Sequence, residues 1–187
     1  MFDSPAKNKL VEAFKTILKE RPYSTIKVKD IVELANVSSM TFYRNFEDKA
    51  DLTEHICFDD LMLFTKIYGN SAEVRSITVC MLNTIRNNKE YYGSILKDDD
   101  ARASFISALS HVSEEAAGSK GSSATLSLCS ETLKKWANED FRTSVDDLYR
   151  EWISSLPLKS VLKGKELEDA IKTFEANTIA DFRKRVK

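Results

Sequence analysis

Residues 35–52 read Ala35-Asn36-Val37-Ser38-Ser39-Met40-Thr41-Phe42-Tyr43-Arg44-Asn45-Phe46-Glu47-Asp48-Lys49-Ala50-Asp51-Leu52. The pattern predicts the second half of a helix-turn-helix, followed by the start of a long helix. Asn36 suits a sharp turn, because asparagine tolerates left-handed backbone better than most non-glycine residues. Val37 then plugs the angle between two helices. Ser38 caps the second of them by accepting a bond from a free backbone N–H. That helix is short, about 39–45. Phe42 and Phe46, four residues apart, face inward, which leaves Ser39, Met40, Thr41, Tyr43 and Arg44 facing outward or sideways.

Two helical patterns precede this stretch. Leu10, Val11, Phe14, Ile17 and Leu18 recur at helical spacing and predict an amphipathic helix from Pro5 to about Glu20. Ser4 followed by Pro5 suits a cap and a first helical position. Arg21-Pro22 ends the helix, since proline disfavours helix in the residue before it. A short second helix is predicted from about Lys27 to Leu34, with Val28, Ile31, Val32 and Ala35 as its buried stripe.

An outward row of small, hydroxyl, aromatic and basic side chains fits a groove of double-stranded DNA. Small residues at a helix N-terminus, Ser38 and Ser39 here, let the backbone approach phosphate. Arg44 suits paired hydrogen bonds to guanine in the major groove. Tyr43, Thr41 and Lys49 suit phosphate contacts, which position a helix without reading sequence. Thr25 and Lys27 would clamp phosphate from the other side, and Met40 and Asn45 complete the candidate DNA face. Taken singly, Tyr43 reads better as a half-buried packing residue and Arg44 as a solvated charge. The turn and the helix spacing, taken with them, favour DNA.

The segment resembles the DNA-binding domain of TetR-family transcription regulators over about residues 8–54. That family's pattern runs Ala-Gly-Val-Ser, two variable residues, Thr-aromatic-Tyr, two more, Phe, two more, then Lys and Leu. Ala35, Val37, Ser38, Thr41, Phe42, Tyr43, Phe46, Lys49 and Leu52 match it, as do Phe14, Tyr23, Val28, Asp30 and Ile31 upstream. The run from Thr41 to Leu52 is most similar to the branch containing regulators of dihydroxyacetone kinase genes. Asn36 replaces the usual glycine of the turn, a mild change for the backbone. Asn45 stands where Tyr or His is common. Lys27 stands where Ser or Thr usually caps the second helix, although lysine still reaches phosphate as a point charge.

Composition bounds the rest. The chain has 187 residues, 42% of them hydrophobic, with only five glycines and three prolines, which suits a mostly helical protein with a real core. The net charge is −1, so the whole chain is no electrostatic nucleic-acid binder. Residues 1–50 hold nine Lys/Arg against seven Asp/Glu, and the remainder nineteen against twenty-two. A head this mildly basic needs a dimer for useful DNA affinity. Cys57, Cys80 and Cys129 are odd in number and far apart, which argues against a disulfide framework and for a reducing, cytoplasmic setting. No signal-like segment or membrane-length apolar run is evident.

From Asp48 onward the pattern stays helical. A long helix to about Tyr68 is stopped by Gly69-Asn70-Ser71, and another is marked by Val74, Ile77, Met81, Leu82 and Ile85. Tyr91 to Leu96 reads as a short piece before the solvated acidic run Asp98-Asp99-Asp100. Further stripes follow: Phe105 to Ala116, Leu126 to Ala137, Val145 to Leu156, and Leu167 to Phe182. Only Gly118-Ser119-Lys120-Gly121-Ser122-Ser123 looks like a loop. The expected architecture is all-α, with a three-helix DNA-binding domain at 1–48 and a helical sensing and dimerisation domain at 49–187.

In the family resembled, the C-terminal helices form a homodimer and enclose a small-molecule pocket. Dimer candidates are Tyr149, Trp152, Ile153, Ile171 and Phe174; the alternative for this stripe is an ordinary core. Pocket candidates are Phe64, Tyr68, Met81, Tyr92, Phe105 and Trp136, each of which reads more readily as plain core. His55 and His111 lack metal-ligand spacing, no Gly-rich phosphate loop occurs, and no cofactor is implied. The resulting expectation is a repressor, released from a near-palindromic operator by a small-molecule effector. An activator or co-regulator of the same fold is the alternative within the class. A helical protein-interaction module is the alternative outside it, and an enzyme lacks any acid, base or metal cluster.

Overall fold

The computed structural model describes residues 4–68, 74–117 and 123–155. The predicted stop at 69–71, most of the glycine-serine loop and the last predicted helix, with Ile171 and Phe174, lie outside the described residues. Every regular element described is helical: α1 (Pro5–Glu20), a 3-10 turn (Tyr23–Thr25), α2 (Val28–Ala35), α3 (Ser39–Tyr43), α4 (Lys49–Tyr68), α5 (Val74–Asn87), α6 (Lys89–Lys97), α7 (Asp99–Ala117), α8 (Ser123–Asn138) and α9 (Val145–Ser155).

The head forms for local reasons. The Ser4 hydroxyl accepts the Lys7 N–H at 3.2 Å, and Pro5 opens α1. Leu10, Phe14, Ile17 and Leu18 are buried along one face of that helix. Lys27 stands at the cap of α2, where an ammonium side chain has no lone pair to offer. Asp30 supplies the cap instead, its carboxylate accepting the Lys27 N–H at 2.8 Å. That bond, with Arg21 at 3.3 Å, holds the Asp30 carboxyl below the usual carboxylate range. Asn36 adopts the left-handed conformation (φ 51°, ψ 52°), and the Val37 N–H returns to the Val32 carbonyl at 3.1 Å.

In the body, α4 packs along α7, with His111 Nδ1 2.8 Å from Glu54 Oε1. The acidic run is not merely a solvated turn. Asp98 caps α7, its Oδ1 accepting the N–H groups of Asp100 and Ala101 at 3.1 Å each. Asp99 pairs with Arg102 at 2.7 Å and with Lys134 at 3.0 Å, joining α7 to α8. Carboxylates are favoured at a helix N-terminus, which explains why α7 begins inside this run. Cys57 and Cys129 are buried free thiols, and burial pushes Cys129 up to about 12.

Head and body share one core. Buried Leu52 and Ile56 of α4 belong to the same apolar cluster as Phe14, Phe42 and Phe46. A polar knot lies beside it. Lys15 of α1 pairs with Asp60 of α4 at 3.0 Å. Tyr91 and Tyr92 of α6 both donate to the other oxygen of Asp60, Tyr92 at 3.2 Å. Burial first, and the Asp60 charge with it, push both phenols well above the ordinary tyrosine value, so they remain donors. Ser94 of α6 adds a bond to the Arg21 carbonyl at 3.2 Å.

Candidate nucleic-acid interface

α3 is held from three sides. The left-handed turn at Asn36 aims it, the Ser38 hydroxyl caps it by accepting the Thr41 N–H at 3.1 Å, and Phe42, fully buried, anchors it. The helix is shorter than its predicted span and closes at Tyr43, with Arg44 as its cap. Asn45 and Phe46 continue the backbone bonds to the Phe42 carbonyl, at 2.9 Å each.

Ser39, Met40, Tyr43 and Arg44 are exposed, Met40 at 73% and Tyr43 at 61%. Met40 lies three residues before Tyr43 and four before Arg44, so the three share one helical face. The Tyr43 and Phe42 rings meet edge to face at 5.4 Å between centroids. Arg44 has no ion pair among the described residues. Lys27 is also exposed, near the turn that leads into α2.

Other candidates are committed inside the head. The hydroxyls of Ser38 and Thr41 bond each other at 2.9 Å. The Thr25 hydroxyl donates to the Pro22 carbonyl at 2.8 Å. Asn45 donates its amide to the Thr41 carbonyl at 2.7 Å and accepts from the Ser4 hydroxyl at 3.5 Å, tying the end of α3 to the start of α1.

Lys49 departs furthest from its expected phosphate role. Its ammonium donates to the Tyr23 carbonyl at 2.8 Å and the Ile26 carbonyl at 2.9 Å, and stands 3.9 Å from the Tyr23 ring centroid. Burial pushes it below the ordinary lysine value. The Tyr23 carbonyl also accepts the Ile26 N–H at 3.1 Å, so Lys49 is its second donor, whereas at the Ile26 carbonyl Lys49 supplies the bond that no backbone donor makes. Lys49→Ala therefore acts on stability, costing about 1–3 kcal/mol through the Ile26 carbonyl left unsatisfied. Urea unfolding measures it, and a variant as stable as the parent would sink this role.

The remaining candidates sit in the body. Met81, Tyr92, Phe105 and Trp136 are buried members of the core, and the Trp136 indole N–H donates to the Thr143 carbonyl at 3.0 Å. The side chains of Phe64, Tyr68 and Ile153 lie outside the described residues. Trp152, 7% exposed, packs into the chain's own core, while Tyr149 is half-buried against it. An open groove of about 760 Å³ lies between the end of α1 and α6, bordered by Leu18, Arg21, Tyr23, Gly93, Lys97 and Phe141. None of the pocket candidates borders it. Sequence reading missed Lys15 and Asp60, which lie 45 residues apart with no local pattern to link them. Among the described residues no group of three or more His, Cys, Asp or Glu is placed to hold a metal ion, and no helix is long and apolar enough to cross a membrane.

Residues 10–56 match the family described as bacterial regulatory proteins, tetR family. No curated protein matches the chain. Among solved structures, it is similar to a TetR transcriptional regulator from Streptococcus agalactiae 2603V, at 27% identity and a TM-score of 0.57, covering 80% of this chain and 92% of that one. A TetR transcriptional regulator from Rhodococcus sp. RHA1 shares the fold at 16% identity and a TM-score of 0.55, covering 86% of this chain and 100% of that one. The fatty acid degradation regulator FadR from Bacillus halodurans does so at 12% identity and a TM-score of 0.50, covering 81% and 94%.

Proposed function

We propose that this chain, whose residues 10–56 match the bacterial regulatory proteins of the tetR family, is a cytoplasmic, sequence-specific transcription regulator that binds DNA as a homodimer. One observation carries the reading. The face of Met40, Tyr43 and Arg44 is left exposed on a helix that the rest of the head holds rigid. Arg44 reads guanine, Tyr43 and Lys27 contact phosphate, and Ser39 allows close approach of the backbone. A twofold protein then reads two half-sites of a near-palindromic operator. Repression is the sign we assign, since a bound dimer occludes a promoter.

The functional division falls at residue 49, between a DNA-reading head (1–48) and a sensing and dimerising body (49–187). An effector bound in the body changes the separation of two heads and so operator affinity. The knot of Lys15, Asp60, Tyr91 and Tyr92 carries that movement, because it joins α1, α4 and α6 at one carboxylate.

Selection of bound fragments from random DNA at near-physiological salt tests this function. One near-palindromic motif, bound with a steep loss of affinity as salt rises, is the expected result. Absence of any enriched motif, with a soluble dimer in hand, would favour a protein-interaction module. Arg44→Ala should relax preference at one base position per half-site by about 1–3 kcal/mol. An unchanged motif from the same selection would remove Arg44 from base reading.

A further inference from the structure

Three of the four large apolar side chains exposed among the described residues, Leu34, Met40 and Tyr43, lie in the helix-turn-helix. Met40 is the most exposed of the four, at 73%. A lone exposed apolar residue is ordinary, but Met40 occupies the face that also carries Tyr43 and Arg44, near the start of α3. The polar side chains around it are largely committed. Ser38 and Thr41 bond each other, and Asn45 holds the Thr41 carbonyl and Ser4. The exposed groups left to bond a base or phosphate here are those of Ser39, Tyr43 and Arg44. An unbranched thioether with rotatable bonds has no hydrogen bond to offer a base, yet it adapts well to an apolar contact.

In the major groove one base presents an apolar group, the 5-methyl of thymine. We infer that Met40 is a specificity-determining residue that selects thymine in each half-site by covering this methyl group, at a position close to the base read by Arg44. The inference rests on the DNA-binding reading above and adds a base identity to it. The methyl group and the Met40 side chain are both hydrated before binding, and contact removes water from both. Arg44 supplies a directional contact, whereas Met40 supplies one that depends on a single carbon atom of the DNA.

That dependence makes the test sharp. In the selected operator, each thymine is replaced in turn by deoxyuridine, which removes the methyl and keeps every hydrogen bond. Parent protein should lose about fourfold in affinity per half-site at one thymine position, the equivalent of one buried methyl-sized group at about 0.8 kcal/mol. Met40→Ala should bind the thymine and deoxyuridine operators equally, and Met40→Leu should retain the preference. The exposure of Met40 keeps these substitutions away from the core, and circular dichroism checks the fold. No sensitive thymine in the parent, or the same sensitivity in Met40→Ala, would overturn the assignment while leaving the DNA-binding reading intact. Failure to recover any operator would overturn that reading and the inference with it.

Discussion

Phe42→Ala is expected to abolish operator binding and to destabilise the protein by about 3–5 kcal/mol. Phe42 is fully buried, and its ring meets those of Tyr43 and Phe46 at 5.4 and 5.9 Å between centroids. Removing it leaves a cavity beneath a helix of five residues, Ser39–Tyr43. A helix that short has no stability of its own and exists only as docked. The loss is a large fraction of the roughly 5–15 kcal/mol that holds an ordinary domain together. Thermal unfolding and operator binding, measured on the same samples, check both parts. Phe42→Leu keeps most of the volume and should retain binding at reduced stability. If Phe42→Ala unfolds within about 1 kcal/mol of the parent, far below the usual loss for a truncated core phenylalanine, α3 is not anchored as described.

Asp60→Ala should cost about 2–3 kcal/mol, because hydrogen bonds to a charged group are stronger than neutral ones. The carboxylate is the only acceptor shared by Lys15, Tyr91 and Tyr92 in the contacts described. Its removal strands one ammonium and two phenols at sites that water reaches poorly, the Lys15 side chain being 22% exposed. A double-mutant cycle separates this from simple loss of packing. Lys15→Met on the Asp60→Ala background should recover part of the loss, since the stranded charge is gone. Strictly additive effects would mean that the two groups do not interact.

Much of the head was legible because its signals are local. Ser4-Pro5 starts α1, Arg21-Pro22 ends it, and Asn36 turns the chain, each within a few residues of the structure it causes. The stripes of Phe42 and Phe46 set which side of α3 is buried, and so which side is free. The closing of α3 at Tyr43 was less visible, because nothing in Arg44-Asn45 forbids another turn of helix. Lys49 reads as a surface cation in sequence. Its role depends on two carbonyls more than twenty residues earlier, one of which, that of Ile26, has no backbone donor. Lys27 posed the reverse problem, since the missing cap was supplied by Asp30, three residues on. Distance in sequence hid the knot at Asp60 altogether, and the apolar stripe of α9 alone could not decide between a second copy and the chain's own core, into which Trp152 packs.

The helix that begins at Lys49 serves two masters. Its first two turns give Lys49, Leu52 and Ile56 to the packing of the head, and its later turns give Asp60 and Leu61 to the body. Such a chain is not two beads on a string. Heads and bodies of this kind are poor material for shuffling by recombination at the seam, because a cut at 48 strips the recipient head of part of its own interior. New specificities must then arise by substitution in place, on the few side chains of α3 that nothing inside the protein needs.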